Sequence, residues 1–308
     1  MRSPTPQLPL QVFIDAWKGR SFTHSRDNYI WGTVVFLPMF IVVAIMFCGL
    51  ESTTCTQQGE RSHSAMIHQH CFNGLQEVEL RWYGSIVNDI LMRLVENFTS
   101  LNSLLIHNEV SKEVWLQFIT HSRCNLQKLD LCVLHDLKDN HLLAVAEKFR
   151  GLSSLRLHSC FLVTPEGLKT MVLAMSNKLE ELAMLNCKVE PGLLTTLGQS
   201  VIYLRKLDLS FNNNAADKKF ITMLALCNCL REVKVRGCKG LNNASVVSMF
   251  KSCKLESVDI MYCCWIDIEA VELLVWNCLR LRKIQVEESK LSEVSRSWAL
   301  NKLVEVVL

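Results

Sequence analysis

Residues 229–238 read "CLREVKVRGC". Two cysteines flank a short, basic, strand-like segment. They could be metal ligands, a disulfide, a reactive pair or packing residues. Within the segment Leu230, Val233, Val235 and Cys238 follow the pattern L-x-x-L-x-L-x-x-C. The frame recurs as "LQEVEL" from Leu75, "LNSLLI" from Leu101, "LQKLDL" from Leu126 and "LSSLRLHSC" from Leu152. It continues as "LEELAMLNC" from Leu179, "LRKLDLSFN" from Leu204, "LESVDIMYC" from Leu255 and "LRKIQVEES" from Leu281. The nine starts lie 26, 25, 26, 27, 25, 26, 25 and 26 residues apart. So little drift in spacing marks stacked structural repeats.

Each repeat reads as a short strand, a turn and a helix. The leading leucine and the apolar residues three and five places on point inward, as strand alternation requires. The residue eight places on is aimed at unpaired backbone in the turn. Asn212 can bond that backbone directly, and Cys160, Cys187, Cys238 and Cys263 hold the same place in other repeats. A thiol is small, usually buried and a weak donor, so these are packing residues. A second column, Cys124, Cys229, Cys253 and Cys278, precedes the next leading leucine by one to three residues. It is expected at the buried end of each helix. No C-x-x-C pair occurs, and Cys227-x-Cys229 and Cys263-Cys264 lack a matching second pair for zinc. In "VTPEGLKTMV", Thr164 is the expected N-cap and Pro165 the first helical residue; Asp267 caps "IEAVELLVW". Val271, Leu274 and Val275 form that helix's apolar face.

The frame resembles the cysteine-containing leucine-rich repeat of plant-type F-box/LRR proteins, over about residues 71–290. "CFLVTPEGL" and "CKGLNNASV" resemble the second half of that family's repeat. The fold class expected is α/β: a leucine-rich-repeat solenoid, or horseshoe, of about nine repeats of 25–27 residues. Parallel strands would line its concave face and helices its convex face. The resemblance implies target recognition in SCF-type ubiquitin ligase-dependent degradation. The sequence departs from the family in lacking a recognisable F-box: "LPLQVFIDAW" at Leu8 has Gln11 where the family's L-P-x-E opening has its acidic residue. Docking to an SCF adaptor is therefore left without its usual module.

Positions two, four and six places after the leading leucine should face outward on the strands. The fourth-place column runs Glu79, Leu105, Asp130, Arg156, Ala183, Asp208, Lys234, Asp259, Gln285, and the sixth-place column Arg81, His107, Cys132, His158, Leu185, Ser210, Arg236, Met261, Glu287. The candidate partner-binding residues are Asp130, Arg156, His158, Ala183, Leu185, Asp208, Lys234, Arg236, Asp259 and Met261. Charges of both signs around an apolar centre at Ala183 and Leu185 suit a protein or peptide partner. Arg156, Lys234 and Arg236 are too scattered for an inositol phosphate, and no cofactor or metal is expected. A net charge of +3 on 308 residues argues against nucleic acid.

No phosphate loop, dinucleotide fingerprint, H-E-x-x-H or G-x-S-x-G motif occurs. His107, Cys132 and His158 share one column, with no oxyanion site or orienting carboxylate to make a nucleophile of the thiol. No enzymatic activity is expected.

The N-terminal part divides into a polar segment (1–28), an apolar segment (29–50) and a linker (51–70), followed by the repeat domain (71–308). The apolar segment has 22 residues without a charge, enough for a single membrane span. Its upstream flank carries Arg2, Lys18, Arg20 and Arg26, which would place the repeats outside the cytosol. Free ladder cysteines argue instead for a reducing compartment, cytoplasmic or nuclear. A membrane-anchored protein with an extracellular or lumenal partner is the alternative. The sequons at Asn97 and Asn243 do not decide between them. The linker residues Cys55, His63, His68, His70 and Cys71 match no trusted zinc spacing.

Overall fold

In every repeat the leading leucine and the apolar residues at the third and fifth places are buried wherever they are described. From Leu101 to Leu281 the leading leucines are at most 4% exposed. The structure, a computed structural model, describes residues 76–308 except 81–87, 89–90, 93, 96–98, 108–109, 135, 214–216 and 252–253. The segments 1–28, 29–50 and 51–70 lie outside the described residues, as do Cys55, His63, His68, His70, Cys71, Asn97 and Cys253. Among the described residues no helix is long and apolar enough to cross a membrane.

The chain folds as an α/β leucine-rich-repeat solenoid. The strands are β1 (Glu77–Leu80), β2 (Ser103–His107), β3 (Lys128–Cys132), β4 (Ser154–His158) and β5 (Glu181–Leu185). They continue as β6 (Lys206–Asp208), β7 (Glu232–Lys234), β8 (Ser257–Asp259), β9 (Lys283–Gln285) and β10 (Glu305–Val307). All pair in parallel, in chain order, in one sheet. The helices between them are α1 (Lys112–His121), α2 (Asp139–Lys148), α3 (Pro165–Met175) and α4 (Pro191–Ser200). They continue as α5 (Asp217–Leu226), α6 (Asn243–Lys251), α7 (Ile268–Asn277) and α8 (Glu293–Asn301). Each packs beside the next, and the apolar faces of helices and sheet share one core. Right-handed return of each helix onto the sheet is what parallel pairing demands.

The expected caps form. The Thr164 hydroxyl accepts from Gly167 N–H at 3.0 Å with Pro165 opening α3, and Asp267 Oδ1 accepts from Ala270 N–H at 2.9 Å at the start of α7. The Asp139 carboxylate accepts from both the Thr164 amide (2.8 Å) and its hydroxyl (2.6 Å), tying one helix start to the next.

The eighth-place residues make a ladder inside the turn. Asn212 is 2% exposed; its Nδ2 donates to Met184 O (2.6 Å) and Leu209 O (2.8 Å), and its Oδ1 accepts from Cys187 N–H (3.1 Å). Cys238 Sγ donates to Leu209 O and Cys263 Sγ to Val235 O, each at 3.1 Å. Cys160 and Cys187 reach carbonyls of the preceding repeat at 3.8 and 3.6 Å. Burial pushes the Cys160 and Cys238 thiols up to about 12, and those of Cys187 and Cys263 up to about 11.

The residue just before the ladder is left-handed in six consecutive repeats: Val133, Ser159, Asn186, Phe211, Gly237 and Tyr262, with φ between 49° and 66°. In five of them its N–H donates to the sixth-place carbonyl of the next repeat, from Val133 to His158 O (2.8 Å) through Gly237 to Met261 O (2.7 Å). Tyr262 N–H donates to a Glu287 carboxylate oxygen at 2.9 Å instead. The turn thus prolongs the ladder and swings the next side chain inward.

One expectation needs correction. Cys229 is exposed, whereas Cys227, two residues earlier, is 4% exposed and takes the helix-end place occupied by Cys124 and Cys278. One residue before the leucine the chain has already turned to solvent. The first cysteine of the opening stretch is therefore a surface residue and the second a ladder residue. The solenoid also has a tenth strand, β10, beyond the nine repeats counted. Its spacing from Leu281 breaks the period, and Leu303, where a leading leucine would stand, is 88% exposed.

Candidate functional site: the open face of the sheet

Helices cover one face of the sheet; the other carries the second-, fourth- and sixth-place side chains. Parallel pairing in register sets each column in line. Leu105 faces Asp130, Asp130 faces Arg156, Arg156 faces Ala183, and Ala183 faces Asp208, then Lys234 and Asp259. His107 faces Cys132, which faces His158, which faces Leu185. Neighbouring strands lie about 4.8 Å apart, so these side chains touch across strands.

The charges on this face largely answer one another. Asp130 and Arg156 lie 3.6 Å apart, and Lys234 pairs with Glu232 at 2.9 Å. Asp208 Oδ1 accepts from the Ser210 hydroxyl at 2.6 Å. Arg236 donates to Asp259 at 3.1 Å and lies over the Tyr262 ring, 5.9 Å from its centroid. Its terminal nitrogen also approaches Met261 Sδ at 3.2 Å.

Three of the ten candidates are not exposed as expected. Ala183 is 7%, Asp259 4% and Met261 9% exposed. Ala183 is short and sits between the longer side chains of Arg156 and Asp208. Asp259 is covered by the guanidinium it binds, and Met261 lies under the same arginine. The expected apolar centre therefore reduces on the surface to Leu185, half-buried on β5.

The second-place column supplies partners that were not singled out from sequence. Lys206 Nζ lies 2.6 Å from Glu181 Oε1, and Ser154 Oγ donates to Glu181 Oε2 at 3.2 Å. Burial of the Glu181 carboxyl opposes its ionisation, but the Lys206 ammonium and Ser154 hydroxyl hold it below the usual carboxylate range. The signal was present: Lys128, Ser154, Glu181, Lys206, Glu232, Ser257, Lys283 and Glu305 come close to alternating sign down the column. A depression of about 60 Å³ lies here, among Arg156, Ala183, Lys206, Asp208 and Lys234. That is room for roughly two waters, not for a buried small molecule.

Cys132 Sγ lies 3.2 Å from His158 Nδ1 across the β3–β4 pair. Burial and the neighbouring Arg156 lower the His158 imidazole below its ordinary range, favouring the neutral ring. A neutral imidazole beside a thiol 7% exposed is a packed hydrogen-bonded pair. Among the described residues no group of three or more His, Cys, Asp or Glu could hold a metal ion.

No protein-family model matches the chain. Among solved structures it is similar to a chain in the crystal structure of the yeast Rad7 and Elc1 complex, at 14% identity and a TM-score of 0.47, over 75% of this chain and 74% of that one.

Proposed function

We propose that the protein is a binding module with no chemistry of its own, and that its open sheet face holds a segment of a target protein. The observation that carries this is the register. Matched strands bring acidic, basic and apolar side chains into one continuous surface on which Arg156, Lys206, Lys234 and Arg236 are each paired with a carboxylate. A polyanion would need a run of unpaired cations, whereas most of the described cations here are already paired. A partner with its own mixed charges can exchange ion pairs with it at little desolvation cost. The finer reading is target recognition for ubiquitin-dependent degradation in the cytoplasm or nucleus. Its support is the resemblance of the cysteine-containing repeat to that of F-box/LRR proteins. The ladder thiols, bonded to carbonyls rather than to one another, suit a reducing compartment.

The test is site-specific photo-crosslinking in cells. A photo-reactive residue at Leu185 or Asp208 should capture a discrete partner, and the same residue at Leu173, exposed on α3, should not. Arg156→Glu should weaken the capture. Equal capture from both faces would sink the open-face reading. The half-life of the captured partner should lengthen when this chain is depleted; an unchanged half-life would reject degradation and leave binding standing.

A further inference from the structure

Beyond the open face, the turns of repeats seven and eight carry a shallow, open depression. It is lined by Lys239, Gly240, Leu241, Asn242, Asn243 and Trp265. Leu241 is fully buried, whereas Trp265 is 69% exposed. An indole left so bare is rare, and Trp is the side chain most often found at binding hot spots.

The walls are held in place. Asn242 and Trp265 form a parallel bridge between the two repeats. The Asn243 amide donates to Asp267 Oδ2, and its carbonyl oxygen accepts from Asp267 N–H at 3.1 Å. The Asp267 carboxylate is spent on this amide and on Ala270 N–H. Lys239 is exposed and forms no ion pair among the described residues. The same place in the fifth repeat holds Lys188, which is also exposed, whereas Lys290 in the ninth is paired with Glu287 at 3.3 Å and bonds Cys263 O. An aromatic wall beside an unanswered ammonium is complementary to a planar apolar group followed by an anion.

We propose that this depression is a second recognition site, taking an aromatic side chain adjacent to a carboxylate on an extended segment of a partner protein. The aromatic ring would stack on Trp265 and the carboxylate would meet Lys239. The site is separate from the open face and stands whether or not that face binds a target.

The test uses the full chain and three fluorescein-labelled ten-residue peptides, read by fluorescence anisotropy. One carries Phe-Asp pairs, the second Ala in place of Phe, the third Lys in place of Asp. The Phe-Asp peptide should bind about tenfold or more tightly than either control. Trp265→Ala and Lys239→Glu should each weaken it about tenfold or more, while Trp265→Phe and Lys239→Arg retain most of the binding. Because both side chains are exposed, unchanged circular dichroism should accompany the loss. Arg156→Glu on the open face should leave the affinity unaltered. Equal binding of the three peptides, absence of binding, or indifference to Trp265→Ala would overturn the proposal. Loss on Arg156→Glu with Trp265→Ala intact would move the peptide to the open face and leave only the reading given above.

Discussion

Gly237 and Val133 occupy the same left-handed place in different repeats, and the same physics makes opposite predictions for them. At Gly237, with φ 66°, a Cβ would lie 2.8 Å from Phe211 Cδ1. Gly237→Ala adds both left-handed strain and a clash with a packed ring, and should cost about 2–3 kcal/mol in urea denaturation. Val133 already bears the strain at φ 58°, and its contribution to the ladder is a backbone N–H that glycine retains. Val133→Gly should therefore be neutral or stabilising by up to about 1 kcal/mol, against the usual penalty for glycine in ordered backbone. Asn212 offers a sharper contrast. Asn212→Leu strands the Met184 carbonyl and the Cys187 N–H and leaves Leu209 O with the Cys238 thiol alone, and should cost about 2–3 kcal/mol. Asn212→Cys should cost roughly half as much, because a thiol in that place bonds a carbonyl, as Cys238 does. Equal losses for the two variants would show that the ladder is governed by volume rather than by hydrogen bonding.

Side chains at two helix starts, His141 and Asp267, titrate in different pH ranges. At the start of α2 the Lys138 N–H donates to His141 Nδ1 at 3.2 Å, with the ring 1% exposed. Burial, then the charges of Lys112 and Lys138, lower the His141 pKa. Its folded pKa lies below the unfolded one, so its stabilisation is complete above about pH 6.5 and declines as pH falls. His158 shifts the same way. The urea midpoint should fall as pH is lowered from about 7.5 to about 5.5. His141→Gln should reduce that fall by about half, since Gln can accept the same N–H as in a capping box. A second decline belongs below about pH 4, where Glu181 and Asp267, both with lowered pKa values, lose their charge. Asp267 is lowered chiefly by the Ala270 N–H, then by Asn243. These bonds were partly readable: Thr164 and Asp267 stand where N-caps belong, but the tie from Asp139 to Thr164 joins residues in different repeats. No local pattern reports it.

Across the whole molecule each repeat leans on its neighbours, so opening propagates from the ends. The cysteines report it. Cys229 and Cys264 are exposed; Cys160, Cys238 and Cys263 are fully buried, with pKa values of about 11 to 12. At pH 8 and low N-ethylmaleimide, mass spectrometry should show the first two alkylated at least about a hundredfold faster than the other three. Comparable rates would mean that the solenoid opens far more often than its packing implies. Hydrogen exchange should likewise be slow in β4 to β6, each paired on both sides.

The period of the leucines was enough to determine the fold class, the inward rows, the line of each outward column and the ladder cysteines. These follow from strand alternation and a repeat length that barely drifts, both properties of consecutive residues. Only the tertiary structure decided which outward residues reach solvent. Arg236 folds over Asp259 and Met261 because they lie on the adjacent repeat, 23 and 25 residues away in sequence. It also decided that Cys227, rather than Cys229, packs at the helix end, because a turn of one or two residues reverses which side chain faces in. The left-handed row is the deepest instance. Val133, Phe211 and Tyr262 carry no local preference for that conformation. They hold it because the partners of their N–H groups, His158 O, Arg236 O and a Glu287 carboxylate oxygen, stand on the next repeat.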